Sequence, residues 1–433
     1  MSLKNLAAFL LAAAGLLEPC LKAQDAMAGH SMPGMVMTDE NPAETFLMKL
    51  ASGTGSNPQA GQLPMITLPF GRWNTMFMAN AFVVDTQQSG PRGGDKLYST
   101  NWGMASAQHL VGAKGAFEAD LMLSLEPATI TDRRYPLLFQ TGETAYGVPL
   151  ADAQHPHNFI MALGVHYAYE VAESTFLDVY VAPVGDPALG PVAYPHRASA
   201  DELPQATLSH HLQDSTHISD DVVTLGLSRG KFKIEGSGFH GAESGENRWI
   251  IQQGAIDSWS ARLWYFPSKN WAAQVSGGRL NHPEALEPGD QIRLTASLHY
   301  SKPMRGSVWS SSGIWGRNHD TGSQHNLNSW LAESVFPLSA KNFITGRAEL
   351  VDKDELFSAD PDLAEQLDRT AGSTFRVGSY TLGYTRDIPS IRHIESGIGF
   401  NFSIYSLPDA IKPYYGEHPL GGNIFIRFRL RPS

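Results

Sequence analysis

The sequence predicts an all-β fold, namely a transmembrane antiparallel up-and-down β-barrel of about 16 strands with short periplasmic turns and long external loops. Three observations predict it. Apolar and polar residues alternate with a period of two almost to the C-terminus, short and long connections alternate between these segments, and an export signal precedes them. Because some segments alternate poorly, about 12 to 16 strands are compatible with the pattern.

The composition is that of a folded chain with few charges. The chain has 433 residues, a formal net charge of −11 and 17% charged residues, against roughly 25% in average globular proteins. It also contains 14 Tyr, 20 Phe and 9 Trp. Disordered chains have few aromatic residues, and nucleic-acid-binding proteins are basic, so both classes are excluded. No apolar run of about 18 residues follows the N-terminus, so no spanning helix is predicted.

The first 23 residues have the pattern of a signal peptide. Lys4 supplies the positive region, residues 6–17 are apolar, and Ala23 ends a cleavage site. An ordinary buried first helix is the alternative interpretation. Cys20 is the single cysteine and lies inside this segment, so the mature chain has no disulfide and no thiolate ligand. We therefore expect a signal peptide over 1–23, a flexible periplasmic arm containing Met and His over 24–69, and a barrel over 70–433.

Strands are predicted wherever the period-two alternation persists. In one of them Ile292, Leu294 and Leu298 should face lipid, whereas Arg293 and Thr295 should face the lumen. Segments 328–336 and 373–386 alternate poorly. The predicted strands are 70–85, 95–108, 115–126, 157–171, 174–184, 218–229, 231–241, 255–267, 270–281, 290–301, 305–317, 328–336, 341–352, 373–386, 393–405 and 421–431.

The connections between these strands decide between a barrel and a soluble sandwich. Tight connections such as Arg229-Gly230 alternate with long ones near 127–156, 185–217, 353–372 and 406–420. Every backbone polar group in a bilayer must be paired, which leaves the closed barrel as the β solution. We expect the long loops on one rim and the tight turns on the other. Tryptophans near strand ends, at 73, 102, 259, 271, 309 and 330, are expected to form interfacial girdles.

A short segment after the signal peptide is rich in methionine and is the first candidate metal site. Thioether sulfur is a soft ligand that suits Cu(I) in an oxidising compartment, and an imidazole adds Cu(II) affinity. The alternative interpretation is a linker between signal and barrel. The candidate ligands are Met27, His30, Met32, Met35 and Met37.

Histidines in two predicted loops are weaker metal candidates. His155 and His157 flank a proline and should point in opposite directions, so a structural role at a strand entry is the alternative. The loop 185–221 combines histidines with carboxylates, a set that suits Cu(II) or Zn(II). Hydrogen bonds that stabilise a folded loop are the alternative there. Its candidate ligands are His196, His210, His211 and His217.

A catalytic interpretation rests on little. Ser209-His210 and Ser215-Thr216-His217 contain residue types of a hydrolase triad, but sequence neighbours rarely form one, and no nucleophile-elbow motif is present. We expect no enzyme.

Several motifs resemble an uncharacterised family of exported Gram-negative proteins. They occupy residues 125–127, 140–143, 155–157, 190–197 and 208–218. Members of that family often accompany genes for copper or other metal resistance. Separately, the Met/His segment before a barrel is similar to the copper-resistance outer-membrane protein B family, in which a Met/His-rich periplasmic arm precedes a β-barrel. This second resemblance implies the copper-binding role for the arm.

Together these features predict an outer-membrane barrel that supports copper tolerance by sequestration or export. Expected partners are outer-membrane lipid and periplasmic copper-handling proteins, with no nucleic acid and no tightly bound cofactor beyond Cu(I) or Cu(II). The chain is expected to be a monomer or a trimer. The alternative is a general or substrate-specific porin, and an outer-membrane hydrolase is a third interpretation. In a porin, lumen-facing arginines opposed by carboxylates would create a transverse field, from Arg293, Arg347, Arg427 and Arg429 toward Glu118, Asp120 and Glu349.

Overall fold

The computed structural model describes residues 41–285 and 289–432, which form a β-barrel with its lumen filled. The strands are β1 Ile66–Phe70, β2 Trp73–Gln88, β3 Asp95–Val111, β4 Gly115–Leu123, β5 Tyr135–Ala145, β6 Val148–Gln154, β7 Ile160–Ala172, β8 Thr175–Gly185, β9 Ser219–Arg229, β10 Phe232–His240, β11 Ser258–Ser268, β12 Trp271–Leu280, β13 Gln291–Met304, β14 Ser307–Asp320, β15 Asn326–Ser339, β16 Asn342–Lys353, β17 Phe375–Ile391, β18 Ile394–Ser406 and β19 Leu420–Leu430.

Short helices occur only outside the wall in the described part of the chain. They are α1 Pro42–Leu47, α2 Glu126–Thr129, α3 His210–Gln213, α4 Pro361–Ala371 and α5 Lys412–Tyr415. Asp360 caps α4 by accepting a hydrogen bond from the Leu363 amide. Among the described residues, no helix is both long and apolar enough to cross a bilayer.

The wall is a closed antiparallel barrel of sixteen strands, as the alternation predicts. Strands β2, β3, β4 and β7 to β19 pair in chain order, and β19 returns to β2 from Gly421↔Gln88 to Arg429↔Asn80. Beyond that seam β1 pairs with the start of β2, from Ile66↔Phe77 to Phe70↔Trp73. Closure leaves no unpaired edge in the wall. The poorly alternating segments 328–336 and 373–386 are full wall strands, β15 and β17.

Side chains alternate across the wall as predicted for β13. Ile292, Leu294 and Leu298 are 42%, 44% and 47% exposed on the outer surface, whereas Arg293 and Thr295 are buried on the lumen side. Because the period is two, a slip of one residue would exchange these faces. The outer surface of the barrel is therefore apolar and the inner surface polar.

Short and long connections lie on opposite rims, which confirms the predicted topology. The turn rim carries connections 71–72, 112–114, 173–174, 230–231, 269–270, 305–306, 340–341 and 392–393. At the second position of the Arg229-Gly230 turn, Gly230 has a φ of +57°, which glycine adopts without strain. The loop rim carries connections 89–94, 124–159, 186–218, 241–257, 281–290, 321–325, 354–374 and 407–419.

The loop 186–218, called here the lumen loop, folds into the barrel. Thr100 on β3 donates a hydrogen bond to the Pro204 carbonyl at 2.9 Å, and Gln213 donates to Ser329 on β15 at 3.0 Å. The loop therefore crosses between opposite sides of the wall. Most of its residues are buried.

The second half of the expected arm is also folded against the wall, in contrast to the flexible segment predicted over 24–69. In residues 41–65, called here the N-terminal segment, α1 packs Ala43 and Leu47 on Ala116 and Ala168 of β4 and β7. Arg262 on β11 donates a 2.9 Å hydrogen bond to the Thr54 carbonyl. The first strand, β1, begins at Ile66, four residues before the predicted boundary of 70. The candidate ligands at 27, 30, 32, 35 and 37 and the predicted signal peptide lie outside the described residues.

An apolar cluster closes the loop rim. Strands β5 and β6 form a hairpin, the rim hairpin, which the sequence does not predict. Its Tyr135 stacks on Tyr98 of β3 with ring centroids 4.4 Å apart, and Phe139 stacks on Tyr415 of α5 at the same distance. Phe357 beside α4 completes the cluster. Burial of these aromatic rings holds the rim hairpin and the two helices together over the mouth.

Candidate functional site

Five predicted metal candidates converge in one buried place below the loop rim. The connection after the rim hairpin contributes two of them and the end of the lumen loop contributes three. All five are at most 8% exposed. They line a small cavity of about 30 Å³ together with side chains of the β10–β11 connection. We call this group the histidine cluster, and its members are His155, His157, His210, His211 and His217.

Three of these rings are oriented by polar partners through Nδ1. His210 Nδ1 lies 2.7 Å from Asp214 Oδ1, and His157 Nδ1 lies 2.9 Å from Glu126 Oε2. His217 Nδ1 lies 2.9 Å from the Asp214 carbonyl oxygen. A carbonyl oxygen only accepts, so this Nδ1 carries the hydrogen and the Nε2 of the neutral ring presents its lone pair. That Nε2 is buried and has no hydrogen-bond partner.

His155 and His211 form the other half of the cluster, with ring centroids 5.7 Å apart. The Nδ1 of His155 lies 3.1 Å from the Pro156 carbonyl and its Nε2 lies 3.1 Å from Glu143 Oε1. Neither nitrogen of His211 makes a hydrogen bond, and its Nδ1 lies 3.5 Å from Glu243 Oε2. His155 and His157 thus belong to different halves, as expected for side chains that diverge around Pro156, yet they line the same cavity.

Burial sets the protonation of the cluster. It lowers the pKa of His155 and His217 well below the usual value, and neighbouring imidazoles lower both further. Burial also lowers the pKa of His210, although Asp214 opposes this shift. For Glu243 burial raises the pKa, but His211, Arg293 and His155 together outweigh burial, so the net shift of the pKa is downward. Neutral imidazoles next to ionised carboxylates are the protonation states that bind metal ions.

His196 lies apart from the histidine cluster. Its ring packs on Trp102 with centroids 4.3 Å apart, and its Nε2 lies 2.9 Å from the Met122 sulfur. Burial lowers its pKa to about 3. Trp102 therefore points into the lumen, whereas the sequence predicts it for an outer girdle. Trp259, in contrast, is 58% exposed on the outer surface.

The serine neighbours of the cluster are directed away from its histidines. The Ser209 hydroxyl donates to Glu349 at 3.1 Å, and the Ser215 hydroxyl accepts a 2.9 Å hydrogen bond from Arg293. His210 and His217 are both bonded to Asp214 instead. The sequence motifs Ser209-His210 and 215–217 thus do not assemble a serine–histidine–acid relay.

Buried ion pairs attach the lumen loop to the wall. Arg197 of the loop is bonded to Glu333 on β15 at 2.5 Å and to Asp214 at 2.9 Å, and Arg347 on β16 shares Glu333 at 2.9 Å. All four groups are buried. Arg347, one of the arginines expected to create a transverse field, is therefore neutralised at short range.

A second ionic group binds the middle of the loop to β18 and β19. Arg427 pairs with Glu202, and Arg429 lies 2.8 Å from Asp201 Oδ2. Glu395 on β18 lies 2.8 Å from Arg427 and accepts from both arginines. This group ties the loop to the barrel close to the C-terminal end of the wall.

Sequence reasoning misses the acidic partners of the cluster. Glu126 falls within the motif 125–127, but only the fold brings it beside His157. Glu243 and Glu284 come from two further loops and, with His211, offer ligand atoms that all lie within 4.8 Å of one another. A signal existed for Glu126 because it lies in a motif, whereas Glu243 and Glu284 carry no local pattern.

Comparison with known proteins bears on the fold. No protein-family model matches the chain, and no curated protein sequence matches it. Among solved structures, the chain is similar to an anion-selective porin from Comamonas acidovorans, with a TM-score of 0.51, 10% identity, 83% of this chain covered and 100% of the porin.

It is similarly related to OmpF of Salmonella typhi, solved in complex with daunomycin, with a TM-score of 0.51, 8% identity, 84% of this chain covered and 100% of that chain. Both are barrels of the outer-membrane porin class. At this identity the likeness concerns the fold, which is that of an outer-membrane porin.

Proposed function

We propose that this chain is a porin-like channel of the Gram-negative outer membrane whose pathway the lumen loop constricts. The closed wall of sixteen strands, apolar outside and polar inside, supports the proposal. A closed barrel pairs every backbone group in the bilayer. Barrels with 16 to 18 strands are wide enough for an aqueous channel, whereas about eight strands are filled by side chains alone.

The inward loop sets the expected conductance. The lumen loop and the N-terminal segment occupy the interior, and the cavities among them are small, about 30 Å³ beside Glu118 and about 30 Å³ beside Thr100. Solute passage in this arrangement requires the lumen loop to shift. We therefore expect a conductance well below that of an open barrel, rising when the ionic attachment of the loop is weakened.

The test is single-channel conductance of the refolded full chain in planar bilayers. The variant Asp201→Asn with Glu202→Gln removes the two loop carboxylates that pair with Arg427 and Arg429, while Arg427 keeps Asp387 and Glu395 on the wall. We expect larger openings from this variant than from the wild type. Glu365→Gln is the matched control, because it neutralises an exposed carboxylate paired with Arg369 on α4. Absence of conductance in both the wild type and the loosened variant would show that the barrel is not a channel.

The copper interpretation has less support. It depends on the candidate ligands Met27, His30, Met32, Met35 and Met37, which lie outside the described residues. It stays a prediction, as do the signal peptide, the copper-handling partners and the choice between monomer and trimer. Replacing Met32, Met35 and Met37 with Leu tests it, because Leu keeps the size and apolar character while removing sulfur. Full copper tolerance in that variant would contradict the copper role of the arm, and the porin proposal would be the remaining interpretation.

A further inference from the structure

We propose that His211, Glu243 and Glu284, with His155 as a fourth ligand, bind one divalent first-row transition-metal ion below the loop rim. The site goes beyond the channel proposal, since a barrel conducts or fails to conduct independently of it. Its ligands come from four connections, so the metal would join loops that are distant in sequence: 124–159, 186–218, 241–257 and 281–290.

The distances among the donor atoms suit coordination better than hydrogen bonding. The ligand atoms of His211, Glu243 and Glu284 lie within 4.8 Å of one another, and His211 Nδ1 is 3.5 Å from Glu243 Oε2 without a hydrogen bond. Two ligands at about 2.0–2.1 Å from a tetrahedral ion lie about 3.3 Å apart. A small adjustment therefore brings these atoms around one ion.

One histidine directs a lone pair at a carboxylate, and a second leaves both ring nitrogens without a hydrogen bond. The Nδ1 of His155 faces the Pro156 carbonyl, so it carries the hydrogen, and the Nε2 lone pair faces Glu143 Oε1 at 3.1 Å. Both nitrogens of His211 are buried without a hydrogen-bond partner. Buried polar atoms without partners cost free energy, and a bound cation removes that cost by accepting the lone pairs.

The surrounding charges leave a place for a cation. The carboxylates of Glu143, Glu243 and Glu284 face two guanidinium groups, Arg248 and Arg293. Among these groups the three carboxylates outnumber the two guanidinium groups. A site lined mainly by carboxylates favours a cation over an anionic ligand.

The packing around His211 holds its ring in place. Gly142 of the rim hairpin has a φ of +110°, and a Cβ there would lie 2.7 Å from the His211 ring. The glycine thus allows the hairpin backbone to lie directly on the imidazole. His155 approaches the same ring with centroids 5.7 Å apart, near the roughly 5 Å expected when two imidazoles share one ion.

The ligand set selects the class of metal. Two imidazoles and two carboxylates suit Zn(II), Cu(II), Ni(II) or Fe(II), whereas Ca(II) and Mg(II) prefer oxygen ligands alone. The soft ion Cu(I), expected for the methionine arm, is the poorer match here. The two candidate sites can therefore be distinguished by the metal and by variants.

The experiment measures Zn(II) binding by the refolded full chain with calorimetry and metal analysis. The background carries His30→Gln and Met→Leu at 32, 35 and 37, which removes the predicted ligands of the arm except Met27. We expect one Zn(II) per chain there, no Ca(II) binding, and at least tenfold weaker Zn(II) binding after His211→Gln with Glu243→Gln. His299→Gln is the matched control, because His299 is buried in the lumen and bonded to Ser297 and Ser312.

A second measurement keeps the proposal testable if the double variant fails to fold. Cu(II) bound to the same background without cluster substitutions should give an electron paramagnetic resonance spectrum with nitrogen coupling from two imidazoles. Unchanged Zn(II) affinity in the folded double variant would overturn the site. A Cu(II) spectrum with oxygen ligands alone would also overturn it. Neither result affects the conductance test of the channel.

Discussion

At the scale of single residues, Arg197 is a buried charge that joins the lumen loop to the wall. Its guanidinium is fully buried between Glu333 and Asp214, far from any solvent that could stabilise either sign of charge. Breaking a buried pair by removing one partner leaves an uncompensated charge, which costs far more than the pair contributes. Removing Arg197 would therefore leave Glu333 and Asp214 without their shared buried partner.

The variant Arg197→Met tests this attachment. We expect the free energy of unfolding to fall by about 3–5 kcal/mol, because Glu333 and Asp214 lose a buried partner. Urea unfolding of the folded barrel in detergent measures the change. Arg369→Met is the control, since its pair with Glu365 on α4 is exposed and such pairs contribute about 0–1 kcal/mol. Equal loss of stability in both variants would contradict the buried attachment.

A second residue-scale prediction concerns pH and His196. The pKa of His196 is about 3 in the folded chain, below the usual 6.5. Between these two pH values the unfolded chain binds a proton at this residue and the folded chain does not. The contribution of His196 to the free energy of unfolding is therefore present in full above pH 6.5 and is lost as the pH falls toward 3. His155 and His217 act in the same direction.

The measurement is the urea midpoint of the wild type and of His196→Gln at pH 7 and at pH 4.5. We expect a smaller drop between the two pH values for His196→Gln, because the amide does not titrate. Identical drops would mean that other groups carry the acid sensitivity.

At the scale of the element, strand β13 shows how polar and apolar residues that alternate with a period of two give the wall one polar face and one apolar face. Its inner face carries Arg293, which donates to Asn318 on β14 at 3.0 Å, and its outer face carries Leu294. A charge at the centre of the lipid face of such a barrel costs roughly 2–4 kcal/mol. Inner and outer residues of a strand are therefore not interchangeable.

Cysteine labelling tests the orientation of β13 directly, since the predicted mature chain contains no cysteine. We expect Leu294→Cys to react with a probe dissolved in the lipid phase and Thr295→Cys to remain unlabelled by it. A folded barrel in which position 295 reacts and position 294 does not would reverse the assigned faces.

At the scale of the whole molecule, the closed wall and the filled lumen perform different tasks. The wall places the chain in the bilayer, and the seam between β19 and β2 removes its edges. In the channel that we propose, the lumen loop, the N-terminal segment and the rim hairpin would decide what passes. The proposed conduction therefore depends on whether the lumen loop stays docked or moves.

A disulfide between the lumen loop and the wall tests whether conduction requires the lumen loop to move. The hydroxyl oxygens of Ser199 on the loop and Ser312 on β14 lie 2.6 Å apart, close to what a disulfide at these positions needs. We expect Ser199→Cys with Ser312→Cys to conduct less when oxidised and to recover on reduction. Ser199→Cys alone should show no redox effect. Equal conductance of the oxidised and reduced double variant would mean that ions pass without movement of the loop.

The alternation of residues along the chain is sufficient to predict the wall. All sixteen predicted wall strands are found. Inward polar and outward apolar side chains alternate between neighbouring residues, so each strand can be recognised from its own segment. Each tight turn is likewise recognisable from the residues within it. The sequence also singled out five histidines that the fold brings together around one cavity, since 155–157 and 208–218 are compact motifs. The rim hairpin and β1 were missed, because short pairings in long loops carry too little alternation.

The filling of the lumen and the groups that meet there depend on contacts between parts of the chain that are distant in sequence. Nothing local in residues 41–65 distinguishes a docked segment from a flexible arm, and the inward course of residues 186–218 depends on partners such as Glu333 and Arg427 far along the chain. Likewise Glu243 and Glu284 reach His211 from separate loops. Periodicity is a property of neighbours in sequence, whereas a buried ion pair or metal site is a property of neighbours in space.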